Sequence, residues 1–363
     1  MILTIITFIA ILVVLVMVHE LGHFLAAKAC GVYVEEFAFG FPPRIWSKKY
    51  KETRYSINAI PLGGYVKMLG ELEEHPDPRA FENQSRFKRF LISVAGVVMN
   101  ILLAWLILDI GFTVGMAPIV STAKSIPGEI LKSEVMIAEV MKDSPADSAG
   151  LEPGDIVSGA VVEDKNITIE STKDLSDLSF SSKGKEITLN YKAVKDNSDQ
   201  SKEVTVSNDP DAPLGVVVIE QGVVRVPWYK APYVALRETI KIFQLTFLFL
   251  KKFFVRAVFS TEIVQGIGGP VAIYTYTGTA VKAGIMAILQ FIAILSTNLA
   301  LVNILPFPAL DGGRILFVLS EIIARRKLVK QRAEQIIHTL GFALLILMVA
   351  VLTYKDVVRL IIK

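Results

Sequence analysis

The sequence has one cysteine among 363 residues, Cys30, so no disulfide can form within the chain. There is no paired-cysteine spacing of the zinc-ribbon kind and no low-complexity tract. Charge is sparse: Asp, Glu, Lys and Arg make up 20% of residues, against 52% hydrophobic ones. The mean hydropathy is +0.51. A soluble chain of this length needs less apolar surface, so membrane spans are expected. A net charge of +3 is too small to imply a nucleic-acid partner, and none is expected. The first 18 residues, MILTIITFIAILVVLVMV, carry no charge at all. They also lack the basic start of a secretory signal. The AKAC at 27–30 resembles a cleavage site, but charged residues precede it, so retention of the segment is expected.

The length allows two domains or more. Four segments read as transmembrane helices of spanning length: 1–29, 90–116, 283–310 and 336–354. The loop 30–89 holds Arg44, Lys48, Lys49, Lys51, Arg54, Lys67, Arg79, Arg86, Lys88 and Arg89. The loop after the third span holds Arg325, Arg326, Lys327, Lys330 and Arg332. Basic loops stay in the cytoplasm, which puts both termini and 117–280 outside. Within 227–260, the run TIKIFQLTFLFLKKFFVRAVF has only a short uncharged stretch flanked by lysines and reads as an interfacial amphipathic helix. A fifth span there would put the second basic loop outside. Residues 125–208 are polar, with short alternating runs such as EITLNYKAV and KEVTVSN, and read as a small β-rich domain. The stretch 50–69 also alternates around Pro61, Gly63 and Gly64, a hairpin signal.

At 19–23 the first uncharged run ends in HELGH. Residues four apart share a helix face, so His19 and His23 can bind one metal ion, with Glu20 beside them. H-E-x-x-H on a helix is a zinc-peptidase pattern: two imidazoles on the metal and a glutamate as general base for water. The competing reading is a chance run with histidines at a helix end. It fits poorly within an apolar span, where ionisable side chains are costly and kept mainly for function. Catalytic zinc takes three protein ligands and keeps one position open. Of the other histidines, His75 lies in the polar loop EEHPDPR and reads as solvated, while His338 begins the fourth span and reads as interfacial. Asp311, in NILPFPALDGGR at the end of the third span, is the better third ligand. Gly312 and Gly313 allow close backbone approach there, and Pro306 and Pro308 break the helix. On local sequence alone, Asp311 could also cap a helix-terminal turn.

HELGH, IPLGGYVKM, AGVVMN, GIGGPVAI and NILPFPALDGG occur in an order that resembles the site-2 protease family of intramembrane zinc metalloproteases, in its bacterial regulated-proteolysis branch. The likeness covers nearly the whole chain. It implies one Zn2+ per chain on His19, His23 and Asp311, with Glu20 as catalytic base. It implies single-span membrane proteins as substrates, such as anti-sigma factors and remnant signal peptides. These would be cut within the bilayer after an upstream site-1-type protease has shortened their outer part. The implied location is a bacterial inner membrane, with the active site towards the cytoplasm. VMKDSPADSAGLEPGDIV, 140–157, resembles the PDZ domains of this branch. There is room for one, whereas some relatives carry two, which argues against a size filter built from a tandem pair. A single domain could gate or size-select substrates, or act as a rigid spacer.

A helical peptide bond is shielded, so a protease in lipid must open its substrate. An exposed strand can do so by accepting the substrate as an added strand. The hairpin over 55–68 resembles the family's membrane-associated β-element, with Tyr55, Ile57, Ile60, Gly63, Gly64 and Tyr65 as expected substrate contacts. The alternative is a plain structural hairpin. Asn303 could bind the extended backbone or the oxyanion, or hydrogen-bond between helices. Asn100 reads as serving the latter role.

The expected fold is an α-helical polytopic membrane protein. It has about four transmembrane helices, a cytoplasmic-side β-hairpin and one inserted extracytoplasmic PDZ-like domain. Two other function classes compete. A metal or ion transporter would spread ionisable groups over several spans, whereas here they concentrate at 19–23 and 311. A non-catalytic membrane scaffold displaying a PDZ domain would tolerate loss of Glu20, yet the motif is intact.

Overall fold

The computed structural model describes the chain except residues 72, 195–197, 211, 260–268, 330 and 363. Residue 260 and the first three residues of the GIGGPVAI stretch therefore lie outside the described residues. The elements begin with helix α1 (Ile2–Ala29), strands β1 (Val34–Tyr50) and β2 (Thr53–Met68), and α2 (Arg86–Val114). Next come β3 (Glu129–Val140), α3 (Pro145–Ser148), β4 (Ile156–Val162), β5 (Lys165–Thr168), α4 (Thr172–Ser181), β6 (Glu186–Lys192), β7 (Asp199–Thr205) and β8 (Val216–Arg225). The chain continues through α5 (Ala231–Phe259), α6 (Pro270–Ala283), α7 (Ile285–Ile304), α8 (Asp311–Ala324) and α9 (Gln331–Ile362). Two compact units result, one from Met1–Leu108 with Thr239–Lys363 and one from Asp109–Glu238.

Among the described residues, four helices are long and apolar enough to cross a membrane: α1, α2, α7 and the Arg332–Val358 part of α9. They fall on the four segments expected from hydropathy. Helix α7 starts after Gly284, at φ +101°, and stops where Pro306 and Pro308 interrupt the helical backbone. Helices α6 and α8 were not anticipated. Asp311 is the first residue of α8 rather than the last of the third span. Asp356, near the end of α9, accepts the N–H of Gly269 at 2.7 Å and of Ala272 at 3.1 Å. It thereby caps the start of α6. Helix α5 covers the expected amphipathic segment and is not among the four spanning candidates. Its Thr246 nevertheless donates to Asn298 Oδ1, at 2.9 Å, in the middle portion of α7.

Strands β1 and β2 form more than a hairpin. Each bends into two arms. Residues 44–50 pair with 53–58 as a hairpin, from Tyr50↔Thr53 to Arg44↔Asn58. Residues 53–58 also lie beside 34–41, where the pairs Glu36↔Arg54, Phe37↔Tyr55, Ala38↔Ser56 and Phe39↔Ile57 rise together, so these arms run in the same direction. On its other side, 34–41 pairs with the last arm in opposed order, from Val34↔Met68 to Phe41↔Ile60. The arm order is therefore 44–50, 53–58, 34–41, 60–68, with the first and last at the edges. Inside the sheet, the buried Glu36 carboxylate accepts from Arg44 Nη2 at 2.8 and 3.0 Å and from the Ser56 hydroxyl.

The second unit is a sheet in the order β7-β6-β4-β3-β8, with β5 on β4. Alternating Val135, Ile137, Val157, Ile187, Leu189 and Val204 close its core with Leu175 and Leu178 of α4. A capping box starts α4: Ser171 Oγ accepts the Asp174 N–H, and Asp174 accepts the Ser171 N–H. The N–H groups of Glu170 and Ser171 hold the Asp174 carboxyl below its ordinary pKa. The sheet extends past the expected boundary at 208, since β8 pairs with β3 from Val216 to Arg225.

Candidate metal centre

One turn of α1 carries His19, Glu20 and His23, and both histidines are buried. Their Nε2 atoms lie 3.2 Å apart. Asp311 Oδ2, at the start of α8, is 3.0 Å from His19 Nε2 and 3.2 Å from His23 Nε2. This oxygen is buried and accepts no hydrogen bond. Zinc bonds of about 2.0–2.2 Å at tetrahedral angles put ligand atoms roughly 3.3 Å apart. A triangle of this size, built from two imidazole nitrogens and an orphaned carboxylate oxygen, fits such an ion.

The imidazoles are aimed from behind. His23 Nδ1 is 2.8 Å from the Ile92 carbonyl, an acceptor, so Nδ1 carries the hydrogen and Nε2 keeps a free lone pair that could bind a metal ion. His19 Nδ1 lies 3.2 Å from the Asn100 amide nitrogen, while Asn100 Oδ1 is buried without a partner. A half-turn of that amide puts the oxygen against His19 Nδ1–H and satisfies both groups. Gly96, one turn before Asn100 on α2, makes room for both rings. A Cβ there would come within 2.4 Å of His23 Nε2 and 2.6 Å of His19 Cε1.

The turn that delivers Asp311 is equally tight. A Cβ at Gly312 would sit 2.0 Å from the Leu305 carbonyl oxygen. Ala309 holds a left-handed φ of +79°, which costs a residue with a side chain. Arg314, three residues after Asp311 on α8, donates to Glu71 Oε1 at 2.6 Å. Glu71 Oε2 accepts the Met68 N–H at 3.1 Å, which joins α8, the helix that begins at Asp311, to the end of β2. Burial works against the Arg314 charge, but the neighbouring Glu71 and Asp311 carboxylates hold its pKa above the ordinary value. Arg89 of α2 and Glu321 of α8 form a second, buried pair. A cavity of about 220 Å³ opens on the centre, lined by Glu20, His23, Tyr65, Val66, Met68, Glu71, Ala309, Leu310, Asp311, Arg314 and His338.

The expected site residues divide by position. Asn303 reaches the centre, with Nδ2 3.3 Å from His19 Nε2. Gly63, Gly64 and Tyr65 lie on the outer arm of β2, against α1. A Cβ on Gly64 would meet Met17 Sδ at 2.9 Å and Glu20 Cγ at 3.7 Å. Tyr55 and Ile57 lie on an inner arm paired on both sides, so they offer no free edge. Tyr55 packs its ring among Phe24 and Phe37. Ile60 is half-exposed, where β2 bends. His75 sits in an exposed turn, its Nδ1 accepting the Asp77 N–H. His338, read as interfacial, lines the cavity. Gly96 and Arg314 fall within AGVVMN and NILPFPALDGGR, but the sequence assigns neither a role of its own, though i+3 spacing from Asp311 marks Arg314. The Ile92 carbonyl has no side-chain signal.

The profile of Peptidase family M50 matches residues 7–348. Over 347 residues the chain is 35% identical to the "Putative zinc metalloprotease" of Clostridium acetobutylicum, covering 95% of this chain and 94% of that one. A protein of the same designation from Clostridium perfringens is 33% identical over 351 residues, covering 95% of each. The zinc metalloprotease RasP of Shouchella clausii is 28% identical over 441 residues, covering 98% of this chain and 99% of its own. With the family profile spanning nearly its whole length and four helices fit to cross a membrane, the chain belongs to Peptidase family M50, the site-2 proteases, and is a metalloprotease.

Proposed function

We infer that this protease holds one Zn2+ on His19, His23 and Asp311 and cuts single-span membrane proteins within the bilayer, with Glu20 as general base. One observation carries the reading: three ligand atoms converge between an apolar helix and α8, and the Glu20 of the motif lines the same cavity. Bound there, zinc polarises the scissile carbonyl and acidifies water. Glu20 takes a proton from water as its oxygen attacks the carbonyl carbon. It passes that proton to the amine nitrogen as the C–N bond breaks. The edge arm 63–68 receives the unwound substrate as an added strand, supplying main-chain hydrogen bonds that lipid cannot. Asn303 donates to the extended substrate or to the developing oxyanion. Tyr55 and Ile57 contribute to the sheet behind that edge.

The charge of the loops supports a bacterial inner-membrane orientation with the metal centre towards the cytoplasm and both termini outside. In this reading the second unit is an extracytoplasmic PDZ-like domain that admits substrates already shortened by a site-1-type protease. Anti-sigma factors and remnant signal peptides fit that description. The test is Glu20→Gln in the full chain, with cleavage of a model single-span substrate measured in detergent beside zinc content. The expected result is a rate loss of at least about 100-fold with zinc retained. Parental cleavage by this variant would refute the assignment.

A further inference from the structure

Arg314 and Glu71 both line the cavity that holds Glu20, His23 and Asp311. Arg314 stands in the first turn of α8, three residues after Asp311 and on the same helix face. Its Nη1 donates to Glu71 Oε1 at 2.6 Å. The two side chains are only 22% and 16% exposed. The guanidinium carbon lies 5.5 Å from the centre of the Phe81 ring, which is buried in one cluster with Val34, Met68 and Ile92.

Each partner is fixed to a different body of the site. On the α8 side, a Cβ at Gly313 would come within 2.6 Å of the Phe307 carbonyl oxygen, so the first turn is wedged against the turn before it. On the β2 side, Glu71 Oε2 accepts the N–H of Met68, the last residue of the edge arm. Between them Gly70 takes φ +68°, and a Cβ there would meet the Ala80 Cβ at 2.6 Å. Glu71 is thereby joined rigidly to the end of the arm. Among the described residues, no other hydrogen bond or ion pair joins 60–71 to α8. Towards α1 the arm makes packing contacts, as at Gly64 and Met17, which resist separation more than sliding.

We propose that the Glu71–Arg314 pair is a positioning latch, which fixes where the edge arm presents a substrate peptide bond to the candidate metal centre. This rests on the peptidase reading of Glu20 and on docking of the substrate along 63–68. A substrate added as a strand takes its register from the arm, whereas the groups that attack it stand on α1 and α8. With the pair broken, the arm shifts against α8 and carries the substrate with it. The main-chain hydrogen bonds move along, so binding is kept while the carbonyl carbon loses its alignment. A misplacement of about 1 Å costs on the order of 100-fold in rate. It is also a sizeable part of the rise of about 3.4 Å per strand residue, so neighbouring peptide bonds come within reach. Arg314 and Glu71 act through the arm and are positioning residues.

The experiment compares Glu71→Gln/Arg314→Met, Arg314→Lys and Glu20→Gln with the parent in the full chain. It reads kcat, KM, zinc content, melting temperature and, by mass spectrometry, the bond cut in a model single-span substrate. The double variant leaves neither charge unpaired, and its glutamine keeps an acceptor for the Met68 N–H. Its kcat falls about 10–100-fold, with KM, zinc and melting temperature near parental values, and the share of cuts at neighbouring bonds rises severalfold. Lysine keeps a single-point donor for Glu71 Oε1 and recovers most of both changes. Parental kcat and cut site in the double variant overturn the proposal. So does a loss that follows loss of zinc, or one that leaves the cut site unmoved, as a merely structural pair would. If the double variant does not fold, Arg314→Gln, too short to reach Glu71, is read by the same criteria. Glu20→Gln separates the two readings. If it cleaves at the parental rate, the peptidase reading fails whatever the pair does. If it is inactive with zinc bound while the double variant cleaves as the parent does, only the latch fails.

Discussion

At Gly96 the candidate metal centre depends on a residue with no side chain. The two imidazole rings occupy the space that a methyl group would take, and the nearest atom to it is the proposed ligand nitrogen, His23 Nε2, at 2.4 Å. Neither ring can simply step aside. His23 is tied through Nδ1 to the Ile92 carbonyl, and His19 stands between Asn100 and Asn303. Gly96→Ala is therefore expected to spare the helices but displace the ligands, with a loss of about 10–100-fold in zinc affinity, the range seen when ligand positioning is disturbed. Metal retained against a graded chelator reads this directly. A variant that holds zinc as tightly as its parent would show that the rings are free to move.

Among the elements, the four candidate spanning helices, with HELGH on the first, were legible because hydropathy and i,i+4 spacing are local properties. The β1–β2 sheet was legible only as a hairpin. Alternation in 50–69 marks strands, but nothing local says that 53–58 pairs on both sides while 60–68 is left at an edge. Helix α8 was hidden for a related reason. Prolines signal a break after α7, yet the restart at Asp311 is set by the packing of Gly312 on the Leu305 carbonyl. Asn303 could be suspected as a polar residue in a span, whereas the acceptor for His23 is a backbone group and could not. The edge assignment has its own test. Neighbouring residues on a strand point their N–H groups to opposite edges. Of Tyr65→Pro and Val66→Pro, one removes an N–H that faces outward and the other breaks the pairing with 34–41. Both should cleave poorly, but only the second should melt earlier. The outward loss costs about 1 kcal/mol of substrate binding, roughly fivefold in kcat/KM. If the variant with parental melting cleaves at the parental rate, the substrate does not dock on this edge.

At the scale of the whole molecule, the candidate chemistry and the β-rich unit are separable in the chain. Every residue of the metal centre and its cavity falls in Met1–Leu108 or Thr239–Lys363. The second unit closes a core of its own, with Val135, Ile137, Val157, Ile187 and Leu189 each no more than 2% exposed. A core complete within one segment should fold without the rest. The unit also pins its own entry to its exit. The buried Glu238 carboxylate accepts the N–H groups of Ile119, Val120 and Ser121 at 2.8, 2.6 and 3.1 Å, and the Ser121 hydroxyl at 2.5 Å. A fragment of residues 115–238 is therefore expected to be soluble without detergent, to bind no zinc and to unfold in urea as a single cooperative transition. Glu238→Ala in that fragment strands three backbone donors, and should lower its stability by about 1–3 kcal/mol with the slope of the transition unchanged. A fragment that unfolds without a cooperative step would mean that the core needs the membrane helices, and an unaltered midpoint in Glu238→Ala would mean that the pin is dispensable.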